Sequence, residues 1–212
     1  MKVSGRVASA LYWLLEFVKF SRANTALFLL TVVAFVGNYI QHYIPGSIMF
    51  GGIAVMISLR LFGFARGMVV ALAAAIGASQ FSNVTGIWLV LLLEAAFVGG
   101  ALLSKKLRNI VLIDGVFWVV FGMLLLWSLL GESGSNDAWY HALTIGFNGL
   151  SNALLASILL VFLPWHRWLQ LADNQDAVPL QHLVFNLVLA CVVFPAFVLT
   201  LLTIRDETRS IR

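Results

Sequence analysis

Long apolar runs separated by short polar turns dominate the pattern of residues along the chain. Seven such runs can be counted, at residues 25–44, 45–62, 66–81, 86–103, 110–130, 138–163 and 182–204. An α-helix needs roughly 20 apolar residues to cross a bilayer, and most of these runs approach that length. The pattern predicts an all-α protein, a polytopic integral membrane helix bundle of about seven transmembrane helices that occupies residues 25–204.

The two ends of the chain lie outside this predicted bundle. Residues 8–20, ASALYWLLEFVKF, are apolar apart from Ser9, Glu16 and Lys19, and Arg22 follows closely. Thirteen residues are too few to cross a bilayer, so we expect an amphipathic helix lying in the membrane interface, within a cytoplasmic N-terminal segment at 1–24. Residues 205–212, RDETRSIR, form a charged tail.

Composition supports the membrane interpretation. The chain of 212 residues is 61% hydrophobic and 10% charged, whereas a soluble domain carries roughly 25% charged residues. The net charge of +4 comes from Lys and Arg in short loops, which favours a topological role over nucleic-acid binding. Cys191 is the single cysteine, so no disulfide forms within the chain.

The distribution of basic residues predicts the orientation in the membrane. With the N-terminus in the cytoplasm, ten of the thirteen Lys and Arg residues fall on the inner side. They are Lys2, Arg6, Lys19, Arg22, Arg60, Arg66, Lys105, Lys106, Arg108 and Arg167. Positive residues concentrate in cytoplasmic loops. We therefore expect a multi-pass protein of the bacterial inner membrane with an extracytoplasmic C-terminus.

Glu94 is the most informative residue within the apolar runs. It is the ninth of the eighteen residues 86–103, which places it at the middle of a predicted transmembrane helix. A carboxyl group at this depth should face the helix bundle or a wet cavity, because facing lipid costs several kcal/mol. Two interpretations stay open: a hydrogen bond that joins neighbouring helices, or a group that responds to a ligand or a proton.

The sixth apolar run carries a polar stripe that predicts a binding pocket. Its members recur at helical spacing in the half of the run nearer the predicted outer surface: His141, Thr144, Asn148, Ser151 and Asn152. Together with Glu94 they are the candidate ligand-binding residues. Hydrogen bonding between helices is the alternative for each asparagine.

Two further charged residues lie near the predicted inner ends of helices. Arg60 and Asp114 suggest a structural polar pair, or two side chains that reach separately to the interface. The sequence contains no HExxH, GxSxG or P-loop motif and no metal-ligand spacing of His and Cys. We therefore expect no enzymatic activity, no cofactor and no metal.

Several stretches resemble a known class of membrane module. They include GSIMFGGIAVMISLRLFGFARGMVVALAAA at 46–75, the LLEA and LIDG motifs within 92–123, FNGLSNALLAS at 147–157, and HLVFNLVLACVVFPAFVLTLL at 182–202. They are similar to the N-terminal membrane region of bacterial sensor histidine kinases and diguanylate cyclases. That region in turn resembles the vitamin-binding S components of energy-coupling-factor transporters. The resemblance implies six S-component-like helices plus a seventh, with Glu94, Asp114, Asn148 and Asn152 as internal polar positions.

These observations lead to one expected function and one alternative. We expect a sensory module of a bacterial signalling receptor that binds an unidentified small molecule between its helices and couples to signalling domains outside this chain. Such a receptor would form a homodimer through its signalling helices, with the lipid bilayer as its other partner and no nucleic acid. The alternative is the substrate-binding membrane component of a vitamin-type transporter. The odd number of predicted spans favours the receptor, because the seventh would carry the chain to the outside.

Overall fold

A computed structural model describes residues 22–40, 49–80, 86–104, 109–122, 124–125, 128, 136–169, 184–189, 191–192 and 195. Regular structure within these residues is helical and contains no strand, so the predicted all-α class is confirmed. The predicted interfacial helix at 8–20, the charged tail at 205–212 and most of the predicted seventh helix lie outside the described residues.

Seven helices organise the described part of the chain. Their bounds are α1 Arg22–Tyr39, α2 Gly51–Phe62, α3 Phe64–Ser79, α4 Ile87–Leu103, α5 Ile110–Phe117, α6 Asn136–Phe162 and α7 Trp165–Leu169. Helix α5 continues directly into a π-helical segment at Trp118–Gly122. Residues 184–189 are also helical.

The helix ends depart from the predicted runs at two places. Helix α2 begins at Gly51, whereas the apolar run begins at residue 45. The fifth run was expected to form one regular helix, but its α-helical geometry gives way to the wider π geometry at Trp118. By contrast, α4 and α6 follow their predicted runs to within two residues.

Helix α3 packs against α1, α2 and α4, while α6 packs against α2 and α5. Glycine permits the closest of these approaches. A Cβ atom at Gly77 of α3 would lie 2.5 Å from the carbonyl oxygen of Phe35 in α1, so no larger residue fits there without a shift of the backbone. The core between these helices combines larger aliphatic residues with seven alanines, among them Ala34, Ala54 and Ala71. Small residues of this kind let helix backbones approach closely.

Asn109 begins α5 by capping its first turn. Its side-chain oxygen accepts hydrogen bonds from the backbone N–H groups of Val111 at 3.1 Å and Leu112 at 3.3 Å. An asparagine in this position satisfies donors that have no partner within the helix.

Length and hydropathy identify one membrane-spanning candidate among the described helices, namely Leu143–Phe162 within α6. The apolar helices α2, α3 and α4 and the combined segment Ile110–Gly122 are shorter, at 12 to 17 residues. The number of membrane crossings therefore stays a prediction from sequence.

Candidate functional site

Three asparagine side chains bind the backbone next to the start of α2, where Met49 and Phe50 are non-helical (the backbone break before α2). Asn38, buried in α1, accepts a hydrogen bond from the backbone N–H of Gly51 at 2.8 Å. Its Nδ2 atom donates to the carbonyl oxygen of Ala74 in α3 at 3.0 Å. One side chain therefore holds α1, the start of α2 and the middle of α3 together.

Two asparagines of α6 bind the same break from the other side. Asn148 and Asn152 are four residues apart, so they share one face of the helix. Both donate to the carbonyl oxygen of Met49, from Nδ2 atoms at 3.4 Å and 2.6 Å respectively. A buried carbonyl group without a partner would be unfavourable, so these amides stabilise the irregular backbone before α2. The interhelical hydrogen bonding that was the alternative for these asparagines is therefore present.

Glu94 is paired with an aromatic residue from the π-helical segment. Its side chain is 5% exposed, and Oε1 accepts a hydrogen bond from Nε1 of Trp118 at 3.0 Å. Trp118 also makes an edge-to-face contact with Phe117, with ring centroids 5.4 Å apart. The indole lies against Gly149 of α6, where any Cβ atom would collide with the ring. Trp118 thus connects α4, α5 and α6.

A small central cavity lies where these groups meet. Its polar lining is contributed by Asn38, Glu94, Trp118, Asn148 and Asn152. Its apolar lining includes Met49, Val55, Met56, Leu91 and Ile145. The volume of this cavity that the centres of water molecules can occupy is about 20 Å³. The enclosed part therefore has room for one or two water molecules.

Asp114 lies one turn of helix before Trp118 and is fully buried. Neither of its carboxyl oxygens accepts a hydrogen bond from an N–H or hydroxyl donor, but the carboxyl group of Glu94 is close enough to share a hydrogen bond with it once either group is protonated. A buried, unpartnered carboxyl group is uncommon in proteins and needs an explanation.

The structure brings together three of the six predicted ligand-binding residues: Glu94, Asn148 and Asn152 line the central cavity. Ser151 is buried but turns back on its own helix, where Oγ donates to the carbonyl oxygen of Phe147 at 2.9 Å. Thr144 is half-buried and is not among the described residues that line the cavity. The backbone of His141 is helical, and its side chain lies outside the described part of the structure.

Arg60 and Asp114, predicted either as a polar pair or as two side chains that reach separately to the interface, lie in different surroundings. No hydrogen bond joins the two residues, since both oxygens of Asp114 are without one. The physical reason is position: Asp114 sits inside the bundle, next to the carboxyl group of Glu94. Arg60 lies in the last turn of α2.

Three residues of the site were not anticipated as site residues: Asn38, Met49 and Trp118. Trp118 is four residues after Asp114, and that spacing could have placed it on the face of Asp114. A buried indole N–H usually finds an acceptor, so a nearby carboxyl group was a natural partner. Asn38 is an amide within an apolar run, which also suggests an internal contact. Met49 contributes its backbone, for which the sequence contains no signal.

The central cavity offers hydrogen bonding as its chemistry. Glu94 accepts one hydrogen bond, from Trp118, and its two carboxyl oxygens can accept further hydrogen bonds. Among the residues that the structure describes, no group of three or more His, Cys, Asp and Glu side chains could hold a metal ion.

No protein-family model, no curated protein and no solved structure matches the chain.

Proposed function

We propose that the chain is a bacterial membrane sensory module in which a small polar molecule binds at the central cavity, beside Glu94, and shifts the helices around it. The position of Glu94 is the main support for this proposal. Its carboxyl group lines a cavity bordered by α1, α2, α3, α4, the π-helical segment and α6. A ligand that binds there would contact elements from most of the described bundle.

The distribution of exposed side chains supports a membrane setting. Large apolar residues point outward on α1 and α3, as Phe28, Leu29 and Val69 do with more than half of their surface exposed. Val119 in the π-helical segment is 79% exposed. Eight polar or charged residues are buried among the described residues, including Asn38, Glu94, Asp114 and the two asparagines of α6. Apolar surface outside and polar groups inside suit a bundle surrounded by lipid.

The small size of the cavity favours a sensor over a static binding site. A molecule larger than one or two waters can enter only if helices part, so binding would be coupled to a change in their packing. Asn148 and Asn152 tie α6 to the break before α2 through one carbonyl oxygen. Movement of α6 would therefore be passed to α2.

A melting-temperature screen tests the proposal. The purified, detergent-solubilised protein is mixed with vitamins, amino acids, nucleobases and short fatty acids, and wild type is compared with Glu94→Gln. A ligand at a hundredfold excess over its Kd stabilises by about 2.7 kcal/mol. We expect at least one compound to stabilise wild type and to lose this effect in Glu94→Gln.

Ser151→Ala is the matched control for that screen, since Ser151 is buried beside Asn152 but bonds only within its own helix. The control should keep the stabilisation. A compound that stabilises Glu94→Gln as strongly as wild type would contradict the role of Glu94. If the compound is also accumulated by vesicles that contain the protein and an energising partner, the transporter alternative replaces the sensor.

Topology is tested separately with fusions after Arg212. Seven spans with an inner N-terminus would place this point outside the cytoplasm. A periplasm-active phosphatase fused there should work, while a protein that fluoresces only in the cytoplasm should stay dark. The reverse result would contradict the seven-span arrangement.

A further inference from the structure

We propose that Glu94 and Asp114 form a proton-binding site at the edge of the central cavity, in which the carboxyl pair holds at least one exchangeable proton. This inference does not depend on the small molecule proposed above, and it assigns a role to Asp114 that ligand binding leaves unexplained.

Helix α4 packs against α5 and its continuation from Trp118, and each of the two helices buries one carboxyl group there. Glu94 comes from α4 and Asp114 from α5, and their side chains are 5% and 0% exposed. They are close enough to act on each other electrostatically. Trp118 donates a hydrogen bond to one oxygen of Glu94, whereas neither oxygen of Asp114 accepts one from an N–H or hydroxyl donor. The pair thus has acceptor capacity that the protein does not fill.

Two ionised carboxyl groups in this position would be strongly unfavourable. Each would lose its hydration, and the two negative charges would repel each other at short range. One N–H donor from Trp118 is the hydrogen bond available to the pair among the described residues. A bound proton removes one charge and supplies an O–H donor at the same time. Proton binding therefore accounts both for the burial of the pair and for the unpartnered oxygens.

Among the described side chains of the neighbouring helices, no other titratable group lines the cavity. Helix α1 carries Arg22 in its first turn and Tyr39 at its end, and neither belongs to the lining. Glu94 and Asp114 are the ionisable residues of α4 and α5 themselves. The helices α2 and α3 carry Arg60 in the last turn and Arg66 in the first turn, respectively, both away from the cavity lining. Helix α6 carries Asp137, Tyr140 and His141 in its first two turns, and the described side chains of this helix that line the cavity are uncharged.

Glu94 provides the route by which the proton can exchange. It lines the central cavity, whereas Asp114 lies behind it and does not contribute to the described lining. A water molecule in the cavity could accept the proton from the Glu94 carboxyl group, which leaves one additional negative charge on the pair. Protonation of the pair by the same route restores the original state.

Infrared spectroscopy of the ligand-free protein tests the proposal directly. A protonated carboxyl group has a C=O stretch that an ionised one lacks. Wild type at neutral pH should show such a band, and the double variant Glu94→Gln/Asp114→Asn should lack it. The band should shift in D₂O, should disappear as the pH is raised, and should change in each single variant because the two groups interact. Ser58→Ala is the matched control, since it removes a buried polar group that bonds to the carbonyl oxygen of Val55 within α2, and it should keep the band.

Three results would overturn the proposal. The first is a wild-type spectrum without a protonated carboxyl band, which would mean that both groups are ionised. The second is a band that responds neither to D₂O nor to pH, which would mean that the proton is locked in place. The third is loss of the band on addition of Na⁺ but not of K⁺ or choline, which would reassign the site to a metal cation. The D₂O and pH measurements need wild type alone, so they decide even if the double variant does not fold. Because no ligand is added, failure here would leave the proposed sensory function untouched.

Discussion

Nδ2 of Asn152 lies 2.6 Å from the carbonyl oxygen of Met49, and this hydrogen bond joins α6 to the backbone that precedes α2. The two residues are 103 positions apart in the chain. Asn148 donates to the same oxygen over a longer distance of 3.4 Å. The irregular backbone at Met49 and Phe50 is thus held by side chains from a distant helix.

Removal of this bond should weaken the bundle. Asn152→Ala leaves the Met49 carbonyl with the longer bond from Asn148, and we expect a loss of about 1–2 kcal/mol, the scale of interhelical hydrogen bonds in membrane peptides. Ser151→Ala is the control, because the bond of Ser151 stays within α6 and its loss should change stability by less than about 0.5 kcal/mol. Unfolding in detergent measures both. Equal losses of stability in the two variants would show that the bond between α6 and Met49 contributes no more than a bond within one helix.

Asn38 should be more sensitive than Asn152, because it bonds two other helices at once. Asn38→Leu removes the acceptor for the Gly51 N–H and the donor to the Ala74 carbonyl, and leaves both backbone groups buried. We expect a loss of about 2–3 kcal/mol. Asn38→Ala in the same unfolding assay checks that the loss comes from the two hydrogen bonds and not from the shape of the leucine side chain. A stable Asn38→Leu protein would contradict the structural role of this residue.

Trp118 and Glu94 should show energetic coupling in a double-mutant cycle. Trp118→Phe keeps an aromatic ring but loses the N–H donor, and Glu94→Leu loses the acceptor. The two single variants should be destabilised, and the double variant by less than their sum, with a coupling energy of about 1–2 kcal/mol. Glu94→Gln should be close to neutral for stability, since an amide oxygen can accept the same bond.

Trp88→Phe is the control for that cycle. Trp88 lies on α4, as Glu94 does, but it is 45% exposed, so its substitution should leave stability and the effect of Glu94→Leu unchanged. Additive losses from Trp118→Phe and Glu94→Leu would mean that the hydrogen bond between them does not contribute to stability.

Two glycines provide a matched test of the packing around Trp118. Gly149→Ala would drive a methyl group into the indole ring, and we expect a loss of about 1–3 kcal/mol, as for other overpacked cores. Gly100→Ala in α4 meets no atom within 4 Å and should be neutral or stabilising by up to about 1 kcal/mol. Thermal unfolding compares them. If Gly149→Ala is tolerated as well as Gly100→Ala, the indole does not lie tightly against α6.

Much of the site follows from helical spacing in the sequence. The spacing of Asn148 and Asn152 placed them on one face of a helix, and the position of Glu94 in its run placed it inside the bundle. What could not be predicted is backbone geometry. The break before Gly51 gives the asparagines a carbonyl group to bind, and hydrophobic periodicity carries no information about it. The charges of Arg60 and Asp114 suggest a pair or two separate contacts with the interface, whereas the fold buries Asp114 next to a second carboxyl group.

The π-helical geometry at Trp118–Gly122 has a consequence for the length of the chain. A π turn accommodates more residues than an α turn, so this segment behaves as an α-helix into which one residue has been inserted. Deletion of one residue here would restore regular α geometry and leave the side chains beyond it on their present faces, because the wider turn absorbs the extra residue. Trp118 faces Glu94 while Val119, the next residue, is 79% exposed. A change from π to α geometry without a deletion would instead rotate the residues beyond the segment by about 100° relative to α5, and would therefore change which side chains face inward.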